Sequence, residues 1–344
     1  MDAVWQRYFL TNLYFLKEEG KMKKIIFCLI AVLGITMALT PVYGKGPIKL
    51  KMVTFLPKGD TNMTAWMKFI EDVNKKAKGE LEIIFTGGPE AIPGFKQFEA
   101  LRNGVVDIIY GCESYYGRQV TGAAYTHLGR LDPIKERENG YYDLRVELFK
   151  KNNIYYLGRP EFGVWFNIFT NKAVKTPGEL KGQKIRVSAT YEPFVKRLGA
   201  VPVTMPGSDI YTALERGTID GYAWSILGNV QMGWVDVCKY ILEPRIYQMN
   251  IEALFNLQTW EKIPAHLQKL LTDCMIKNEK EYSKLMNEIA EKEYQEMQKR
   301  GMKVITFSPE DTKWYVDLAY EAGWDEIIKQ NPTLGPKLKK LLSP

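Results

Sequence analysis

The sequence predicts an α/β protein of two lobes, each built on an open, mostly parallel β-sheet, with the lobes discontinuous along the chain. Three observations lead there. Residues 48–110 alternate strand and helix periodicities as a βαβαβ run. Residues 163–223 repeat that kind of alternation after an irregular stretch. From Ala253 to Leu257 an apolar segment then returns to the first lobe and leads into one very long amphipathic helix. Strands that alternate with helical patterns are the signature of parallel sheets. A chain of 344 residues that is 46% hydrophobic and 25% charged has ordinary globular composition and can bury a substantial core.

Taken in order, the N-terminus stands apart from the fold. Met22-Lys23-Lys24 precedes fifteen mostly apolar residues, Ile25 to Leu39, and Val42 and Gly44 place small side chains for cleavage before Lys45. This is the pattern of a secretory signal peptide, and fifteen residues fall short of the roughly 20 that span a bilayer. Residues 1–21 carry Asp2, Glu18 and Glu19, a poor signal n-region, so Met22 is the expected start. Residues 1–44 are therefore assigned to an N-terminal extension and signal peptide, and the mature protein to the periplasm. Cys28 lies inside the signal behind bulky Ile26-Phe27, which disfavours lipid attachment. Cys112, Cys238 and Cys274 remain, an odd number at spacings that match no zinc pattern.

In the mature chain, Ile48 to Phe55 alternates as a half-buried strand and Pro57-Lys58-Gly59-Asp60 breaks it. Trp66, Phe69, Ile70, Val73 and Ala77 then fall at helical spacing. Leu81–Phe85 is a second strand, Phe95–Arg102 a short helix and Val105–Tyr110 a third strand. Residues 121–160 are polar and aromatic without a single period, with Tyr155–Leu157 as a connecting strand. The second lobe reads as strands 163–170, 184–187, 201–204 and 219–223 with helices 191–198 and 208–216. Leu267, Leu270, Leu271, Cys274, Leu285, Ile289 and Met297 mark one face of a helix over 264–300. Met302–Phe307 is a last strand, and Ser308-Pro309-Glu310-Asp311 is a strong helix start: a capping serine, Pro at the first position and acids in the first turn.

The most informative stretch is 171–221. It contains Thr170-Asn171-Lys172-Ala173, then Leu180-Lys181-Gly182-Gln183-Lys184-Ile185-Arg186-Val187, then Leu198-Gly199-Ala200-Val201-Pro202-Val203. Ser208-Asp209-Ile210-Tyr211-Thr212-Ala213-Leu214-Glu215-Arg216-Gly217 and Ile219-Asp220-Gly221 follow. In this order the words resemble the extracytoplasmic solute-binding subunit of TRAP transporters, the DctP family. The resemblance covers the mature chain, weakly in the first half and most strongly from 165 to 270. It implies a two-lobed periplasmic solute-binding protein that captures a small organic carboxylate in an interlobe cleft and delivers it to a membrane permease. It also implies a long helix, 264–300, packed along both lobes. The lobes then divide as 45–162 with 253–307 for lobe I and 163–252 for lobe II, followed by a C-terminal helix over 308–344. With no obvious further helix after that one, a monomer is expected.

The resemblance makes Arg186 the residue that grips the ligand's carboxylate, and the chemistry suits it: a guanidinium is a planar fork that pairs with a carboxylate through two parallel hydrogen bonds. Relatives that bind sialic acid carry polar residues where this chain has Phe166 and Trp224, so the expected ligand is flatter and more apolar, an aromatic or branched acid. Ser188 lies two residues beyond Arg186, on the same side of the strand. Glu113 and Phe55 follow strands of the first lobe, where open α/β sheets bind ligands, and Gly207 lets a ligand approach backbone amides. Each has an ordinary structural alternative: core packing for Phe55, Phe166 and Trp224, a solvated surface for Glu113.

Other functions find less support. The basic side chains are interspersed with acids on a chain of net charge +7, which argues against a nucleic-acid partner. The two histidines, His127 and His266, have no partners at metal-ligand spacing, and neither a phosphate-cradling Gly-rich loop nor a Gly-x-Ser-x-Gly turn occurs. No cofactor and no catalytic residue is assigned. A ligand-presenting subunit for a membrane sensor and a carboxylate-based secreted hydrolase are the alternatives, the second much the weaker.

Overall fold

Strand β1 (Ile48–Thr54) buries Leu50 and Met52 beneath helix α1 (Thr64–Lys76), whose Trp66, Phe69, Ile70 and Val73 form its apolar face. The computed structural model describes residues 46–343 except Thr121 and Ala124; the expected signal peptide, the Met22 start and Cys28 lie outside the described residues. Helix α1 ends where Lys78 and Gly79 take positive φ, 49° and 86°, and turn the chain into β2 (Leu81–Gly87). Helix α2 (Gly94–Arg102) returns it to β3 (Ile108–Cys112), and β1 pairs in parallel with both β2 and β3. Strand β3 starts later than the sequence pattern suggests because Gly104 turns the chain and leaves Val105 exposed.

Helix α3 (Glu113–Tyr116) follows β3 directly. The stretch without a clear period then holds two helices, α4 (Pro133–Glu138) and α5 (Tyr141–Lys150), before β4 (Ile154–Gly158). Helix α4 carries a start signal that sequence inspection passed over. Asp132 accepts from the N–H groups of Ile134 and Lys135, and Pro133 occupies the first turn.

The second lobe contains β5 (Trp165–Thr170), β6 (Lys184–Val187), α6 (Glu192–Arg197), β7 (Val201–Thr204), α7 (Ile210–Glu215), β8 (Gly221–Ser225), α8 (Trp234–Val237) and β9 (Tyr240–Gln248). Strand β10 (Ile251–Asn256) re-enters the first sheet, followed by α9 (Leu257–Lys262), the 35-residue α10 (Ala265–Lys299), β11 (Lys303–Thr306), α11 (Pro309–Gln330) and α12 (Leu334–Leu342). The sheets have strand orders β2-β1-β3-β10-β4 and β11-β9-β5-β8-β6-β7. Every antiparallel pairing involves β5 or β10, the strands by which the chain changes lobe; the other pairings are parallel.

Three boundaries differ from expectation. Strand β11 pairs in parallel with β9, so residues 303–306 belong to the second sheet and not to lobe I. Strand β9 itself was not foreseen, because Pro244 interrupts it. The proline sits beyond the last β9–β11 pair, Thr306 with Glu243, and where the register against β5 shifts, so the ladder does without its missing N–H. The C-terminal region is two helices: α12 buries Leu338 and Leu342, and Leu341 accepts a hydrogen bond from Asn139 Nδ2. Helix α10 packs on α1, β4 and α4, while Glu293 near its end accepts from the N–H groups of Gly228 and Val230, at 2.9 and 3.0 Å.

Candidate ligand-binding site

The strand ends and the two lobe crossings converge on one narrow space between the sheets, with about 20 Å³ of free room. Phe55 follows β1, Ser114 and Tyr115 follow β3, Ser188 follows β6, and Trp224 and Ser225 end β8. Phe166, Met249 and Ile251 come from the crossing strands. That room is far below the roughly 300–1,000 Å³ of a ligand pocket, so a ligand enters only as the lobes part. A larger crevice, lined by Arg118, His127, Glu192, Lys196 and Gln330 among others, opens nearby, but both of its cations are already paired, Arg118 with Glu192 at 2.9 Å and Lys196 with Glu192 at 3.4 Å. The smaller space is the candidate site because strand ends of both sheets meet there.

Arg186 adjoins this space and does not itself form its wall. On β6 it is 1% exposed, with its guanidinium 4.9 Å from the centre of the Trp224 ring. Nε and Nη2 donate to the carbonyl of Met205 at 2.9 and 2.7 Å, and Nη1 donates to that of Ala223 at 3.2 Å. A guanidinium has five N–H groups, so one remains on each terminal nitrogen. The Tyr115 hydroxyl stands within hydrogen-bonding reach of the guanidinium, and a carboxylate that displaced it would meet a charged donor. Among the described residues no acid faces it. Burial pulls its pKa below the usual arginine range, and the groups that oppose that pull are the neighbouring phenols and thiol of Tyr115, Cys112 and Tyr191.

Trp224 is 7% exposed and fixed on three sides. Its Nε1 donates to the Leu227 carbonyl at 3.1 Å, Trp234 meets it edge to face at 5.1 Å, and Gly207 lies so close that a Cβ there would stand 2.7 Å from Cη2. Gly207 is thus needed for the ring's position, while its N–H donates to the Tyr115 hydroxyl at 2.9 Å across the cleft. Phe166 packs on Tyr191 at 4.9 Å, and Phe55 meets Tyr115 edge to face at 5.2 Å. The aromatic residues therefore serve as core on one side and as cavity wall on the other.

Glu113 is neither in the cavity nor solvated. Its side chain is 2% exposed and points into the first lobe, where Oε1 accepts from His127 N and Nδ1 at 2.9 and 2.8 Å and Oε2 accepts from Thr126 N at 3.2 Å. The turn of α3 sends Glu113 inward and Ser114 and Tyr115 toward the cleft. Leu56, Asn62, Cys112, Ser225, Met249 and Ile251 also line the space and escaped sequence inspection. Met249 sits in the β9–β10 crossing, whose strand was not recognised, and Asn62 follows the Pro57–Asp60 break, whose residues look like a plain loop.

The family model for bacterial extracellular solute-binding proteins, family 7, matches residues 52–331. The chain belongs to that family. As a family 7 protein it is 22% identical over 246 residues to the monocarboxylate 2-oxoacid-binding periplasmic protein of Nostoc, an alignment that covers 67% of this chain and 65% of the relative. Its fold matches two solved receptors at 19% identity. One is the pyroglutamic acid-binding extracytoplasmic solute receptor of Bordetella pertussis, with TM-score 0.77 over 86% of this chain and 99% of that one. The other is a TRAP periplasmic solute-binding protein of Desulfovibrio salexigens with bound orotic acid, with TM-score 0.78 over 86% and 97%. The family and fold are those of two-lobed solute receptors.

Proposed function

We propose that this family 7 protein is exported to the periplasm and captures a small organic carboxylate between its lobes, with Arg186 as the anchor, for delivery to a TRAP-type membrane permease. The observation that carries this is a buried arginine, with no acidic partner among the described residues and only backbone carbonyls and a phenol around its guanidinium, beside a small aromatic-walled space. A buried cation needs a counter-charge, and a ligand carboxylate supplies it when the lobes close. Ser188 adds a hydroxyl at the same strand end, while Phe55, Phe166 and Trp224 favour an acid with an apolar or aromatic body. The relatives named for monocarboxylate 2-oxoacids, pyroglutamic acid and orotic acid support a small acid as the ligand class.

The test is a thermal-shift and calorimetric screen of residues 45–344 against aliphatic, hydroxy, branched and aromatic carboxylates, their primary amides, and neutral sugars. A ligand that binds only the folded state raises the melting temperature. Acids are expected to shift it and amides and sugars are not. Breaking a buried charge pair costs about 3–5 kcal/mol, roughly a hundred- to several-thousand-fold in affinity. Arg186→Ala should lose binding on that scale while remaining folded, and binding within a few fold of the parent would remove Arg186 from the site.

A further inference from the structure

Asn62 stands apart among the residues that line the cavity. It is 1% exposed, and its Nδ2 donates to Asp60 Oδ1 at 2.6 Å while its own backbone N–H donates to the same oxygen at 2.8 Å. That carboxylate oxygen decides which way the amide faces, since a turned amide would set oxygen against oxygen. The remaining atom, Asn62 Oδ1, is buried and has no hydrogen-bond partner among the described residues. A buried acceptor of this kind is costly to leave unpaired. The rest of the wall is mostly apolar and aromatic, Phe55, Leu56, Phe166, Trp224, Met249 and Ile251, with the Cys112 thiol and a few hydroxyls, and it contains no lysine or arginine.

We propose that the site selects a monocarboxylate that also carries an N–H or O–H donor, which Asn62 Oδ1 receives. The inference rests on Arg186 as the carboxylate anchor and adds the second point of recognition, from the opposite lobe. Such a ligand ties the two lobes together at its two ends. A dicarboxylate is disfavoured, because its second carboxylate would meet an acceptor oxygen with Asp60 behind it and no cation in the wall.

The test uses acid pairs that differ in the donor alone: pyrrole-2-carboxylate with furan-2-carboxylate, 4-hydroxybenzoate with benzoate, and 2-hydroxy-4-methylpentanoate with 4-methylpentanoate, with succinate as the dicarboxylate. Calorimetry on the unaltered protein should show at least one donor-bearing acid bound about ten-fold or more tighter than its partner, since a site built to hydrogen-bond a group rejects the analogue that lacks it. Asn62→Leu should bring that pair to within about three-fold, mainly through loss of the donor-bearing member. Equal affinities within every pair, no binding by any donor-bearing acid, or a preference for succinate overturns the proposal. If acids bind without donor preference and Arg186→Ala abolishes binding, the donor inference alone fails. If primary amides bind as well as acids, it is the Arg186 anchor that fails.

Discussion

Arg145 shows how one residue's surroundings can set a pH dependence far from the ligand. It is fully buried between two carboxylates, 3.8 Å from Glu113 and in a direct ion pair with Glu252, which also accepts from Tyr116 and Asn250. Burial pushes Glu252 up to about 7 against the pull of Arg145. Burial also raises Glu113, but His127 and Arg145 outweigh it and hold that carboxyl below the usual range. Between about pH 4.5 and 7 the folded state therefore keeps a proton on Glu252 that the unfolded chain has lost, and stability falls as pH rises through that window. Glu113 acts in the opposite sense, and its contribution is lost on acidification below about pH 4.5. Replacing Glu252 by Gln should flatten the decline in melting temperature between pH 4.5 and 7 in scanning calorimetry; an unchanged slope would assign the titration elsewhere. None of this was legible in the sequence. Glu113, His127, Arg145 and Glu252 are scattered over 140 residues, and Glu113 looked like a cleft residue because its neighbours are.

At the scale of elements, sequence signals served best where they were local. The start of α11 is written in four residues, and Ser308 Oγ accepts from Asp311 N at 3.1 Å. Replacing Ser308 by Ala should cost about 1 kcal/mol, a fall of roughly 2–4 °C in melting temperature by calorimetry for a domain of this size; no change would mean that Pro309 and the first-turn acids hold the start unaided. The strands Ile48–Thr54, Leu81–Gly87, Lys184–Val187 and Val201–Thr204 also follow their patterns closely. Elements whose signals depend on distant partners were missed or misplaced. Strand β9 tolerates Pro244 because β11 has already ended beside it, and β11 joins the second sheet because α10 carries the chain across both lobes.

For the whole molecule, the polar contacts by which the lobes meet at the cleft include Tyr115 with Gly207, Thr61 with Gln231 at 2.8 Å, and Arg118 with Glu192. The Tyr115 contact is the deepest of these and lies beside Arg186, so it supports the closed arrangement with or without ligand. Tyr115→Phe removes the acceptor for the Gly207 N–H, a hydrogen bond worth about 0.5–1.5 kcal/mol. The ligand-free variant should populate a more open form, seen as a larger radius of gyration in small-angle scattering, with ligand affinity reduced by about two- to ten-fold; identical scattering curves would show that closure does not depend on this contact. By itself the sequence determined the α/β class, the discontinuous lobes, most helices and strands, and the family resemblance with Arg186 at its centre, because each is encoded in short-range periodicity or in consecutive words. Tertiary structure alone decided that Arg186 has no acidic partner among the described residues, that Asn62 lines the cavity and holds a buried acceptor without a partner among those residues, and that Glu113 lies outside the cavity. Pairing and burial are properties of residues brought together from distant parts of the chain, and no local pattern records them.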